Sequence, residues 1–186
     1  RLLWLWLERK TDFFSAPYRL LHIAPEHCFL RPFERLFGDK YVTADLESPL
    51  AKVKLDVQQM PFAECEFDVV ICNHILEHVE DDSKALRELY RILRPNGWAV
   101  ILSPVDLERE HTFEDDTITD AKERTRIFGQ YDHRRIYGRD YVERLAAVGF
   151  EVYDIPYKEE FSQKEQELYA LPDEHLYVVR KPLNDR

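Results

Sequence analysis

Residues 19–46 read RLLHIAPEHCFLRPFERLFGDKYVTADL, and the fold turns on this stretch. Leu20, Leu21, Ile23 and Ala24 form the short apolar run that a buried parallel strand needs, and it stops at Pro25. Phe33, Leu36 and Phe37 keep helical spacing up to Gly38, a residue suited to ending a helix. Tyr41, Val42 and Ala44 then make a second strand that ends on Asp45. The spacing predicts a βαβ unit with a carboxylate at the tip of its second strand. In doubly wound folds a nucleotide lies across the carboxyl end of the first strand, and the acid on the second takes the ribose hydroxyls. Asp45 follows Pro25 by the interval of about 20 residues that such an acid keeps.

The turn between strand and helix lacks the usual glycines, so the βαβ pattern alone is unspecific and residues further on must carry the reading. Ala24, Pro25 and Glu26 stand there instead. Pro32 is expected in the first turn of the helix, where a missing N–H is harmless. That placement makes residues 25–31 a long loop, able to offer backbone N–H groups and Glu26 to the charged amino-acid end of a ligand. The alternative is a plain turn.

Composition narrows the class. A chain of 186 residues, 45% apolar, buries one full core, so a single domain over 1–186 is expected. A formal net charge of −10 argues against a general nucleic-acid surface, which draws on clustered Lys and Arg. The apolar run from Leu2 to Leu7 is too short to span a membrane, and no small-residue cleavage site follows it, so a cytoplasmic protein without a membrane partner is expected. Cys28, Cys65 and Cys72 are odd in number and form no CxxC pair; buried, reduced thiols are expected, with no disulfide framework and no metal site.

In order along the chain, Leu2, Leu3, Trp6 and Leu7 share one face of an N-terminal helix within residues 1–18, expected to pack on the sheet. Residues 53–57 read as a third strand with Asp56 at its tip, and Phe67 to Cys72 as a fourth, followed by Asn73. Asp45, Asp56 and Asn73 would then line the carboxyl edge of one parallel sheet, where open α/β folds bind ligands. Asp81 or Asp82 caps a helix carrying Leu86, Leu89, Tyr90 and Leu93, ended by Pro95, Asn96 and Gly97; Trp98 to Leu102 is a fifth strand. Residues 105–138 show little regular pattern beyond a short helix after Asp120, as an insertion or lid that sets specificity would. A helix from Tyr141, a strand over 150–155, a linker and a strand over 175–180 complete an open sheet of about seven strands.

The pattern resembles the class I S-adenosylmethionine-dependent methyltransferases, in their methyltransferase type 11 branch, with a glycine-less variant of the first motif. The matching residues are HIAPE at 22–26, TADLES at 43–48, LDVQQMPF at 55–62, FDVVICNHILEHVED at 67–81, ELYRILRPNGWAVI at 88–101 and RRIYGRDYVERLAAVGFEV at 134–152. The resemblance implies a Rossmann-like, doubly wound, mostly parallel seven-stranded sheet with helices on both faces. It implies S-adenosylmethionine as cofactor, with Asp45 on the ribose hydroxyls, Leu46 on the adenine, and Asp56 with Val57 at the adenine amino group. Asn73 and His74 would border the methionine portion, beside Ala24, Pro25 and Glu26. A sulfonium methyl is already activated, so alignment with the acceptor does most of the work. For a hydroxyl acceptor a general base is useful, and His74, His78 and His133 are candidates, His78 and His133 above all. The partner expected is a small-molecule acceptor. A non-catalytic S-adenosylmethionine- or nucleotide-binding module on the same fold is the alternative. An NAD-dependent oxidoreductase fits less well, because the dinucleotide's pyrophosphate uses a Gly-rich turn.

Overall fold

The computed structural model describes residues 1–183. Its main sheet contains β1 (Leu20–Ile23), β2 (Tyr41–Asp45), β3 (Val53–Lys54), β4 (Phe67–Asn73), β5 (Leu93–Leu102), β8 (Glu151–Ile155) and β9 (Leu176–Arg180). The strand order is β3-β2-β1-β4-β5-β9-β8. The pairs from β3 to β5 are parallel, and β9 runs antiparallel to both of its neighbours. This is the expected seven-stranded, mostly parallel sheet. The chain winds outward from β1 in both directions, so β1 and β4 flank the switch point at which such sheets bind ligands.

Side chains alternate across the strands and divide the core into two layers. Leu21 and Ile23 of β1, Val70 and Cys72 of β4, and Ala99 and Ile101 of β5 face one layer, with α3 (Asp82–Ile92) and α5 (Tyr141–Ala146) packed on it. Leu20, Val69, Ile71, Val100 and Leu102 face the other, under α1 (Leu2–Lys10) and α2 (His27–Phe37). Leu2, Leu3, Trp6 and Leu7 are the buried face of α1, as the sequence predicts.

Several expectations need correcting. α2 starts at His27 and contains Pro32 in its interior, so the turn after β1 is short and not a long loop. Phe29, Phe33 and Phe37, spaced four apart, are all buried on the sheet, and this packing holds the helix although Pro32 has no N–H for the carbonyl four residues back. β3 covers two residues, and the chain leaves the sheet at Leu55; Asp56 opens a turn in which its Oδ1 accepts the Gln58 N–H at 2.8 Å. Only Cys72 of the thiols is buried, while Cys28 is exposed.

The segment 105–138 is more ordered than its pattern suggests. β6 (Phe113–Glu114) pairs antiparallel with β7 (Arg135–Ile136), and α4 (Ala121–Phe128) lies between them, capped by Asp120. The expected linker after β8 holds a 3-10 turn at Tyr157–Glu160 and α6 (Gln163–Tyr169), started by a reciprocal Ser162–Glu165 capping box. No helix among the described residues is long and apolar enough to cross a membrane.

Candidate functional site

A cavity of about 540 Å³ opens at the carboxyl ends of β1, β2 and β4 and beside the turn after β3. Asp45, Leu46, Asp56, Val57, His74 and His78 all line it, together with Ile23, Ile75, Asp132 and Arg134. Asp45 and Asp56 therefore face one space. Oδ1 of Asp45 accepts the N–H groups of Glu47 and Ser48, both at 2.7 Å, which fixes the carboxylate, and among the described residues Oδ2 accepts no hydrogen bond. Leu46 is 54% exposed and Val57 buried, so the cavity offers an apolar surface beside its two acids.

The remaining expected residues stand outside that lining. Ala24 sits at the end of β1 with φ 48°, a left-handed conformation that glycine adopts freely, and donates its N–H to the Ala44 carbonyl at 2.8 Å. The turn thus keeps a glycine-like backbone without a glycine. Pro25 is buried, and Glu26 is held from two sides. Its Oε2 lies 2.5 Å from Nε2 of the buried His22, whose Nδ1 lies 2.9 Å from the Tyr41 hydroxyl. Its Oε1 accepts from Asn73 Nδ2 at 2.8 Å. Burial would raise the pKa of Glu26, but the hydrogen bonds from His22 and Asn73 outweigh it and hold the carboxyl below its ordinary value. The other end of the Asn73 amide, Oδ1, is buried without a partner among the described residues.

His74 also has a positive φ of 54° and borders both this cavity and a smaller one of about 240 Å³ lined by Ser103, Val105, Glu174 and Tyr177. Its Nδ1 lies 3.4 Å from Oε1 of Glu77, and that contact raises its pKa against the opposing effect of burial. Glu77, 1% exposed, accepts the Ser103 hydroxyl proton on Oε2 at 2.9 Å. His78 packs edge-on against His133, ring centroids 4.7 Å apart, and does not cap α3, a task that Asp81 performs. His133 faces a further cavity of about 470 Å³ with Glu77 and Phe128.

Two features escaped sequence reasoning. Asp132 and Arg134 reach the main cavity from the insertion, a placement no local pattern encodes. Arg135, 4% exposed, donates to the carbonyls of Leu76, Val79 and Glu80 at 2.6–3.0 Å and to Glu114, and so fastens the insertion to the loop after β4. A buried guanidinium among backbone carbonyls leaves no periodic signature.

Comparison with known proteins adds a family. The segment from Pro32 in α2 to Ile101 in β5, containing Asp45, Asp56 and the loop after β4, matches the methyltransferase domain family. The ubiquinone/menaquinone biosynthesis C-methyltransferase UbiE of Haemophilus ducreyi is 30% identical over 93 residues, 40% of this chain and 36% of that protein. The chain thus spans about a third of the length of the curated relatives it matches. Among solved structures the [4+2]-cyclase SpnF has a TM-score of 0.65 at 18% identity, covering 99% of this chain and 82% of its own. Phosphoethanolamine N-methyltransferase 2 of Haemonchus contortus, in complex with phosphomonomethylethanolamine and S-adenosylhomocysteine, has a TM-score of 0.59 at 19% identity over 97% of this chain and 52% of its own. These likenesses establish a methyltransferase-type Rossmann-like fold. The methyltransferase match covers β2 to β5, the side of the sheet that builds the main cavity.

Proposed function

We propose that this chain is an S-adenosylmethionine-dependent methyltransferase acting on a small-molecule acceptor. The observation that carries the reading is the convergence of Asp45 and Asp56 on one cavity at the switch point of the sheet.

The residues present suit the cofactor. Asp45 keeps Oδ2 for a pair of ribose hydroxyls, Leu46 and Val57 give apolar contact to adenine, and Asp56 accepts from its amino group. The buried Oδ1 of Asn73 is an acceptor without a donor, and with the neighbouring Glu26 carboxylate it suits an ammonium group. Ala24 and Pro25 shape the backbone of the turn beneath it. When bound, the cofactor supplies an activated sulfonium methyl. The protein's task is then to hold and orient the two reactants and to keep water from between them.

His74 lines both the main cavity and the smaller one, which supports an acceptor position on the far side of His74 from Asp45. For a hydroxyl acceptor His74 is positioned to take its proton, with Glu77 beside it to stabilise the imidazolium. His78 and His133 are the sequence-based candidates for that role; His74 is favoured over them because it lines both cavities, whereas His78 lines only the main one and His133 neither. Incubation with S-adenosylmethionine and fractionated small-molecule extract tests the reading: S-adenosylhomocysteine accumulates with at least one fraction. Its absence with every fraction, while the cofactor binds, overturns turnover in favour of a binding module.

A further inference from the structure

We propose that Glu77, His78 and His133 form a binding site for a divalent first-row metal ion, with zinc as the best match. One ligand atom from each lies within 4.8 Å of the others. At zinc bond lengths of 2.0–2.2 Å, tetrahedral ligands stand about 3.4 Å apart, so the widest pair closes by about 1.4 Å on binding, within side-chain rotation.

The surroundings of each ligand favour coordination. His133 Nδ1 lies 3.2 Å from the Phe128 carbonyl, which can only accept, so Nδ1 carries the proton and Nε2 presents a lone pair. His78 Nδ1 faces Oδ2 of Asp132 at 3.4 Å, which again leaves Nε2 for a ligand. Metal-bound histidines are ordinarily oriented by just such a carbonyl or carboxylate on the other nitrogen. Glu77 is held by Ser103 and His74 and cannot swing into solvent. Two imidazoles and one carboxylate are a donor set for zinc or a neighbouring transition metal, and three protein ligands leave a position open.

The ligands come from two parts of the chain. Glu77 and His78 lie in the loop after β4, and His133 lies in the insertion, so an ion would tie the insertion to a loop that borders the main cavity. The sequence gives no hint of this, since its cysteines carry no metal spacing and the two histidines meet only through the fold. The test requires neither cofactor nor acceptor and stands or falls apart from methyl transfer.

Zinc chloride is titrated calorimetrically into chelator-treated protein, with His133→Ala, the isosteric Glu77→Gln and a control at an exposed site, His111→Ala, each checked for folding by circular dichroism. One ion per chain is expected in the wild type and in His111→Ala. Loss of a direct ligand should exceed the 10- to 100-fold effect of losing an orienting partner, so His133→Ala binds more than about 100-fold more weakly. Glu77→Gln is expected to weaken binding as well. Absence of stoichiometric zinc binding by the wild type, or unchanged affinity in folded His133→Ala or Glu77→Gln, overturns the site.

Discussion

Asn73 Nδ2 donates to Oε1 of Glu26 at 2.8 Å, joining the carboxyl end of β4 to the turn after β1 across the switch point of the sheet. The contact belongs to a chain that runs on through His22 to Tyr41. In a chain without glycines at that turn, this partly buried network fixes the shape of the rim.

Its pH dependence follows from the lowered pKa of Glu26. A carboxyl whose folded pKa lies below its ordinary 4.5 contributes stability that is full above 4.5 and is lost as pH falls through the lowered value. Glu26→Gln should therefore destabilise the protein at pH 6 to 7, and the difference from wild type should shrink as pH falls below about 4.5. Urea denaturation across that range measures it; a penalty that does not vary with pH would show that the charge on Glu26 is immaterial.

Ala24 gives a second prediction. A left-handed conformation costs an L-residue roughly 1–2 kcal/mol, whereas glycine loses roughly 0.5–1 kcal/mol through backbone entropy. With φ at 48°, Ala24→Gly should stabilise the fold by about 0.5–1 kcal/mol, and the β-branched Ala24→Val should destabilise it. Equilibrium unfolding reads both signs. A destabilising Ala24→Gly would mean that the methyl packing outweighs the backbone strain.

Arg135 gives a third. Its guanidinium holds three carbonyls of the loop after β4 as well as Glu114, so Arg135→Ala leaves buried acceptors unpaired and should cost about 3–5 kcal/mol. Arg135→Lys should recover little, because a single ammonium cannot span the fork of partners. Thermal unfolding measures both variants, and proteolysis within 105–138 should quicken in each.

The thiols give a fourth. Cys28 is exposed, and Cys72 is buried with its pKa pushed far above the ordinary thiol value. A thiol-exchange reagent should label Cys28 in the native protein and Cys72 only after unfolding. Cys28→Ser should remove the fastest phase and leave a slower one from Cys65, which is only partly buried; labelling of Cys72 in the native protein would contradict the burial pattern.

Much of this architecture was legible because it follows from periodicity. The continuous apolar runs of β1, β4 and β5, the phenylalanine spacing of α2, and the Asp81 cap each have a local signature. Pro32 misled because the rule that places proline in the first turn was outweighed by Phe29, Phe33 and Phe37 gripping the sheet. β3 is shorter than its apolar pattern suggests because Leu55 and Val57 are buried outside the sheet. Asp45 could be found as the acid at a strand end, and Asp56 as the acid in the turn just after one. The cluster of Glu77, His78 and His133 and the Arg135 clamp could not, since each depends on where the insertion folds back.

The proposed activity requires an adenosine site at the Asp45 rim, and calorimetric titration of S-adenosylhomocysteine into wild type and Asp45→Ala probes that site. One molecule is expected to bind per chain, with a loss of about 1.5–3 kcal/mol in Asp45→Ala, roughly 10- to 100-fold in affinity. No binding to the wild type, or equal affinity in the folded variant, would contradict it.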